Sequence, residues 1–384
     1  MSQRMLPRAA ASLALTLLAV PALADPPTID TSAQHAIIVD YNTGTVLFDK
    51  GADERLEPAS LSKMMTAYVV FDYIKKGQVT LDDSLPVSER AWAKHKTNES
   101  NMFVALGSRV KVEDLIRGMI VQSGNDACYV LAEGLAGSES AFVDRMNEVA
   151  KQLGLDHSHF ADVDGLPDPQ EYTTARDLAT LAHHLIADFP DYYHYESEKD
   201  FTYNGIKQGN RNPLLYKDIG VDGIKTGHTE EAGYGVAISG VRDGRRIIEI
   251  LAGMKSMKER SSESEKLFEW AFREFADYHL VKAGDPVDDA PVWMGESTKV
   301  PATTASDVFV TLPKRARHDL KVMAEYDGAV KAPVQKGEPV GKLVISAPDM
   351  KPIEVQLVAA QPVDKLDALG RMATAAGYLL WGKR

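Results

Sequence analysis

Gly235-Val236-Ala237-Ile238-Ser239-Gly240-Val241-Arg242, then Asp243-Gly244, then Arg246-Ile247-Ile248-Glu249-Ile250-Leu251-Ala252: two apolar, β-branched runs joined by Asp-Gly read as a hairpin. A second hairpin is predicted near the start of the chain. There His35-Ala36-Ile37-Ile38-Val39-Asp40 and Thr45-Val46-Leu47-Phe48-Asp49-Lys50 flank the turn residues Tyr41-Asn42-Thr43-Gly44. Between the two hairpins the pattern is helical. Ser60 to Lys76 holds no Pro or Gly, has an apolar middle and is stopped by Gly77. Residues 111–122 and 126–136 read as two helices broken by Ser123-Gly124-Asn125, and Thr174 to Ala187 as another. Gly223-Ile224-Lys225-Thr226 reads as a short edge strand, and residues 258–276 as an amphipathic helix behind the second hairpin. A hairpin at each end of a helical middle implies an α+β domain: one antiparallel sheet, assembled from both ends of the domain and covered by helices.

After about residue 280 the texture changes. Val308–Leu312, Leu320–Tyr326, Gly341–Ser346 and Ile353–Val358 are short strand patterns punctuated by Gly, Pro and Asp, which predicts a small all-β domain. The last stretch is helical in pattern, with Leu366, Leu369, Ala373, Ala376 and Leu380 at spacings of three and four, and with Tyr378, Trp381, Lys383 and Arg384 gathered at its end. Such a helix suits a membrane interface or a face of its own protein equally well. At the other end, Arg4 and Arg8 precede an apolar run from Ala9 to Val20, then Pro21 and Ala22-Leu23-Ala24. A basic start, a short apolar core and small residues before the cut are the marks of a cleavable export signal. The expected division is therefore a signal peptide at 1–24, a helix-covered sheet domain at 25–278, a β-rich domain at 279–362 and an amphipathic helix at 363–384.

Composition narrows the function. The formal net charge is −12, and Arg4 and Arg8 are the only charges in the first 24 residues, so a chain starting at residue 25 carries −14. Such a chain has no general attraction for nucleic acid or for an anionic membrane. Cys128 is the single cysteine, which excludes an internal disulfide and a multi-cysteine metal site; its apolar surroundings read as a small buried hydrophobe. His157, His159, His183 and His184 lack a metal-ligand spacing and read as solvated. No metal and no cofactor is expected.

Three short motifs carry chemistry: Ser60-Leu61-Ser62-Lys63, Ser123-Gly124-Asn125 and Lys225-Thr226-Gly227. Each recurs by chance in long chains; their order and settings give them weight, and together they are a known signature of β-lactamases and penicillin-binding proteins. Ser60 opens a helix, where unpaired backbone N–H groups stabilise a developing anion. Lys63 lies one turn on, within reach of the Ser60 hydroxyl. A serine becomes a nucleophile only beside a base, and a lysine serves as base only when burial and a second cation favour its neutral amine. Lys225 is the candidate cation. Ser123 is placed to relay a proton to the leaving amine, and the Asn125 amide to hold Lys63 and the substrate. An edge strand carrying Lys225 and Thr226 can pair with an extended peptide. Arg211, in Asn210-Arg211-Asn212, is suited to a substrate carboxylate.

With Glu57-Pro58-Ala59 before Ser60, Met64 after Lys63, Asp126-Ala127-Cys128 after Asn125, Val221-Asp222-Gly223-Ile224 before Lys225, His228-Thr229 after Gly227, and Ala232-Gly233-Tyr234, the chain resembles the low-molecular-mass penicillin-binding proteins of the D-alanyl-D-alanine carboxypeptidase type, peptidase family S11. The β module, with Pro291-Val292-Trp293 and Pro333 to Gly337, and the amphipathic tail resemble the later parts of those enzymes. The resemblance implies a serine β-lactamase/transpeptidase-like fold. It implies removal of the terminal D-alanine from peptidoglycan stem peptides through an acyl-enzyme, covalent inhibition by β-lactams, and a place on the outer face of the cytoplasmic membrane. It implies Ser60 as nucleophile and Lys63 as its base. It gives the Ser60 and His228 backbone N–H groups as oxyanion hole, and Thr226 and Arg211, beside Lys225 and Gly227, as the carboxylate site. A β-lactamase is the nearest rival, but the class A deacylating glutamate setting is absent. A D,D-endopeptidase uses the same motifs. A wall-binding protein with a relic site is disfavoured by the full set of catalytic side chains.

Overall fold

The computed structural model describes residues 28–94, 99–348 and 350–381. The expected signal segment at 1–24 and the terminal Lys383 and Arg384 lie outside the described residues.

The first hairpin pairs His35–Asp40 (β1) with Val46–Lys50 (β2), slipping one residue between Ile38 and Val39. Asp40 Oδ1 accepts from the Asn42 and Thr43 backbone N–H groups, which closes the turn. A 3₁₀ turn at Ala59–Ser62 leads into Lys63–Lys75 (α1). Ser84–Pro86 (β3), Glu89–Ala93 (α2) and Arg109–Lys111 (β4) form a small flap, followed by Val112–Ile120 (α3), Asn125–Ala136 (α4), Glu139–Gln152 (α5) and Ala175–Asp188 (α6). Asp200–Tyr203 (β5) and Ile206–Gly209 (β6) make a minor hairpin. Val221–Thr229 (β7), Gly233–Arg242 (β8) and Arg245–Met254 (β9) complete the main sheet, and Met257–Glu274 (α7) crosses behind it.

The sheet runs β2-β1-β9-β8-β7, every neighbour antiparallel. The two predicted hairpins thus meet through β1 and β9, and β7 is an edge. Alternation divides the strands between two cores. Ile37, Ala237, Ile248 and Ile250 face α1 and α3 to α6. Ile38, Val236, Ile238, Ile247 and Leu251 face Leu267, Phe268 and Ala271 of α7, where each large side chain contributes about 1.5–3 kcal/mol by leaving water. The greater part of α1, from Lys63 to Phe71, is buried all round, which makes it the central helix of the first core.

The helix expected from Ser60 begins three residues later. Ala59 has a positive φ of 49°, and Leu61 N donates to Pro58 O, so the Ser60 segment is a tight turn. Two glycines press on it. A Cβ on Gly165 would stand 1.9 Å from Ala59 O, and one on Gly227 would stand 3.0 Å from Pro58 O. The turn is shaped by what packs on it, which a local helix pattern does not register. Helix α5 was not foreseen either, although Ser138 caps it and Phe142, Met146 and Val149 line its buried side.

The later strands are Phe275–Val281 (β10), Asp288–Trp293 (β11), Lys299–Thr304 (β12), Val308–Pro313 (β13), Lys321–Glu325 (β14), Val330–Lys331 (β15), Pro339–Ser346 (β16) and Ile353–Ala359 (β17), ahead of Ala368–Trp381 (α8). Six form a sheet in the order β14-β16-β17-β12-β11-β15, over a core that includes Val300, Val310, Leu343 and Leu357. β10 crosses residue 278, where the sequence reading divided the two domains; its pairing with β13 carries it with the later strands. On α8, Leu369, Met372, Leu379 and Leu380 are 70–85% exposed. No helix of the described residues is long and apolar enough to cross a membrane.

Candidate active site

The three motifs, far apart in sequence, converge on one cleft of about 460 Å³. Lys63 Nζ lies 3.0 Å from Ser60 Oγ, because one turn of backbone sets both side chains on the same side. Lys63 also donates to the Asp164 carbonyl, and its residue is only 1% exposed. Ser123 takes a positive φ of 56° between α3 and α4, which aims its side chain into the cleft, and Lys225 Nζ donates to its Oγ at 2.9 Å. Lys225 also donates to the Thr226 carbonyl at 3.0 Å. Burial pushes the Lys225 ammonium well below the usual lysine range, and the charges of Lys63 and Arg211 act in the same direction.

Asn125 is the first residue of α4 and faces the cleft, but its amide is not on Lys63. Its Nδ2 donates to Glu99 Oε2 at 3.1 Å, and its Oδ1 has no hydrogen-bond partner among the described residues. The expected bond to Lys63 is thus replaced by one to a carboxylate that enters from the segment after α2. The Asp164 carbonyl occupies the lysine's donor instead.

The edge of β7 brings Thr226, Gly227 and His228 along the cleft, and the His228 ring lies tilted against Tyr234 at a centroid distance of 3.9 Å. Arg211 opens into the same space and donates through Nη1 to Ser100 Oγ. A second arginine, unremarked in the sequence, joins it: Arg260 of α7 lines the cleft and points Nη2 towards the Arg211 carbonyl, 3.4 Å away. Burial pushes Arg260 down to about 10. Two cations thus flank one opening, an arrangement chemically suited to a carboxylate.

Below Ser60 lies an acidic layer that carries no local motif. Asp164 is 1% exposed, and its carboxyl is pushed up to about 6, first by burial and against the pull of Lys63. Lys94 Nζ stands 3.7 Å from its Oδ2. Glu171 accepts from Ser62 Oγ and is pushed up to about 8, by burial and then by Asp162. Asp162 Oδ1 accepts from the backbone N–H groups of Asp164 and Gly165, which holds the loop that presses on Ser60. Cys128 is fully buried, its thiol pushed up to about 12 by burial. Two of the histidines expected to be solvated are partly engaged: the His183 ring lies tilted against Tyr41, and His184 lies 3.1 Å from Asp188.

A family model described as D-alanyl-D-alanine carboxypeptidase matches residues 21–256, and one described as penicillin-binding protein 5, C-terminal domain, matches residues 275–365. D-alanyl-D-alanine carboxypeptidase DacA of Haemophilus influenzae is 41% identical over 322 residues, which cover 83% of this chain and 81% of that one. DacA of Escherichia coli K12 is 40% identical over 352 residues, 90% of this chain and 87% of that one. Among solved structures, penicillin-binding protein 5 of Haemophilus influenzae superposes with a TM-score of 0.81 at 39% identity, covering 88% of this chain and 99% of that one. Penicillin-binding protein D2 of Listeria monocytogenes, solved in its ampicillin-bound form, gives 0.58 at 30% identity over 64% of this chain and 99% of that one. Fold, motif order and cleft agree with these likenesses, and the chain belongs to the D-alanyl-D-alanine carboxypeptidase family, with a C-terminal domain of the penicillin-binding protein 5 type.

Proposed function

We propose that the protein is a serine D,D-carboxypeptidase that removes the terminal D-alanine from peptidoglycan stem peptides and is acylated by β-lactams at the same serine. The observation that carries this reading is the Lys63 amine 3.0 Å from the Ser60 hydroxyl, inside a cleft that also holds the Lys225–Ser123 contact. Ser60 Oγ attacks the carbonyl carbon of the penultimate D-alanine while its proton passes to the Lys63 amine. The backbone N–H groups of Ser60 and His228 receive the oxyanion, a role that rests on the family resemblance. The C–N bond then breaks. The departing D-alanine nitrogen takes that proton back from Lys63, relayed through the Ser123 hydroxyl that Lys225 orients, and an ester remains on Ser60. Water then attacks the ester and gives a proton to Lys63, which returns it to the departing Ser60 oxygen. A β-lactam follows the first half of this path: its ring amide opens and the ester stays.

Terminal specificity is assigned to Arg211, with the Thr226 hydroxyl beside it. A charge-assisted bond of this kind contributes about 1.5–3 kcal/mol, or about a 10- to 150-fold effect on kcat/KM. Wild-type protein should release one D-alanine from a pentapeptide ending in free D-Ala-D-Ala, read by mass spectrometry. Arg211→Ala should slow that reaction by the stated factor and slow the C-terminally amidated peptide much less. No release from the free peptide would defeat the functional reading. Equal slowing of both peptides would assign Arg211 to the architecture of the cleft.

The cellular site is proposed to be the outer face of the cytoplasmic membrane, reached through the export signal at 1–24 and held by the helix at 363–384. The four exposed apolar side chains of α8 support an interfacial helix. A chain ending at Val363 should keep its activity on soluble peptide and stay in the supernatant, while the full mature chain sediments with membrane vesicles. Equal sedimentation of the two forms would remove the anchor.

A further inference from the structure

Behind the active-site strand lies a carboxylate that the steps above do not use. Glu196 belongs to the 3₁₀ turn Tyr193–Ser197, which packs against β7. It is 1% exposed, and its Oε2 has no hydrogen-bond partner among the described residues. Register places it. Gly223 stands opposite Ser239 and Lys225 opposite Ala237, and those two partners, two residues apart on β8, share a face. A Cβ on Gly223 would stand 3.3 Å from Glu196 Cβ. Glu196 therefore sits under the face of β7 from which Lys225 reaches Ser123.

A carboxylate in such a place is costly unless a cation answers it, and a lysine crowded by other cations is costly unless an anion does. Lys225 is faced by Lys63 from α1, by Arg211 from the segment after β6, by the Cys128 thiol from α4 and by Glu196 from the 3₁₀ turn. The charge acting on Glu196 is that of Lys225.

We propose that Glu196 is a positioning residue: it is the buried counter-charge of Lys225, holding that side chain as an ammonium against burial and the nearby Arg211, so that it continues to donate to Ser123 Oγ. Burial pushes the Glu196 carboxyl up to about 8, with Lys225 opposing, so its negative charge grows in on the alkaline side. Lys225, whose ammonium is disfavoured first by burial, then has an anion beside it. Removing the carboxylate lets the ammonium deprotonate at lower pH.

The inference rests on the reading of Ser60 as the acylated residue, and its test separates the two. The second-order rate of adduct formation with benzylpenicillin is followed by intact mass between pH 5.5 and 9.5. In Glu196→Gln the alkaline limb should move down by about one pH unit, a roughly tenfold loss at pH 9 against less than twofold at pH 6.5. Glu196→Asp retains the charge and should keep the limb near its wild-type position. Glu196→Leu, an apolar replacement suited to the buried site, makes the same comparison if the glutamine variant accumulates poorly. A charge-free variant whose profile keeps its wild-type shape, even if uniformly lower, overturns the counter-charge role. A wild-type protein that forms no adduct overturns the Ser60 reading, and this inference with it.

Discussion

Ser60→Ala should leave a folded protein that acquires no mass from penicillin and releases no measurable D-alanine from the pentapeptide. The hydroxyl removed is partly exposed and meets only Lys63 among the hydrogen bonds of the turn, while Lys63 keeps its bond to the Asp164 carbonyl. Loss of one such contact costs about 1 kcal/mol, too little to unfold a domain. Loss of the nucleophile leaves no oxygen for the ester to form on, and turnover should fall by about 10⁴-fold or more. The readout is intact mass after incubation with benzylpenicillin, beside a thermal unfolding curve. An Ser60→Ala protein that still gained the mass of penicillin would move the nucleophile elsewhere, and Ser123, the other hydroxyl bonded to a buried lysine, would be the first place to look.

The second large effect separates the two lysines. Lys63→Arg should abolish acylation, with a loss of about 10²–10⁴-fold, because a guanidinium stays protonated and cannot accept the Ser60 proton. Lys225→Arg preserves a cation beside Ser123, so its loss should be smaller by about tenfold or more, the remainder coming from the poor fit of a fork in a slot where Lys225 is 5% exposed. Rates of penicillin adduct formation at one pH give the comparison. Equal losses would mean that both lysines act as charges, and the base would have to be sought in the acidic layer at Asp164 and Glu171.

Much of this molecule is legible one segment at a time. Asp243-Gly244 between two β-branched runs makes a hairpin wherever it is placed, and Asp40 closes the first hairpin with its own side chain. The Ser60–Lys63 pair is equally local, since three residues of a helical or 3₁₀ turn bring the two side chains to one side. The break at Ser123-Gly124-Asn125 announces itself by composition. Where the reading fell short, the signal was weak or diluted. Charged residues thin the apolar stripe of α5, and Pro and Asp interrupt β11 and β12, so neither stretch shows a clean period.

The remainder of the site exists only once the sheet closes. Glu99, Asp164, Glu196 and Arg260 are single charged residues in unremarkable surroundings, and nothing within a few positions of any of them separates it from a solvated side chain. Pairing of β1 with β9 brings the two ends of the domain together, and stacking of α1, α4, the loop at Gly165 and β7 then removes water from around those charges. Burial is what turns Asp164 and Glu196 from ordinary carboxylates into groups with raised affinity for a proton, and it is a property of the packed molecule. By itself the sequence determined most of the strands and helices and the closeness of Ser60 to Lys63, because those depend on spacing along the chain. The tertiary structure alone decided the tight turn at Ser60, the partner of Asn125, the second arginine and the charge beneath Lys225, because those depend on which distant surfaces exclude water from one another.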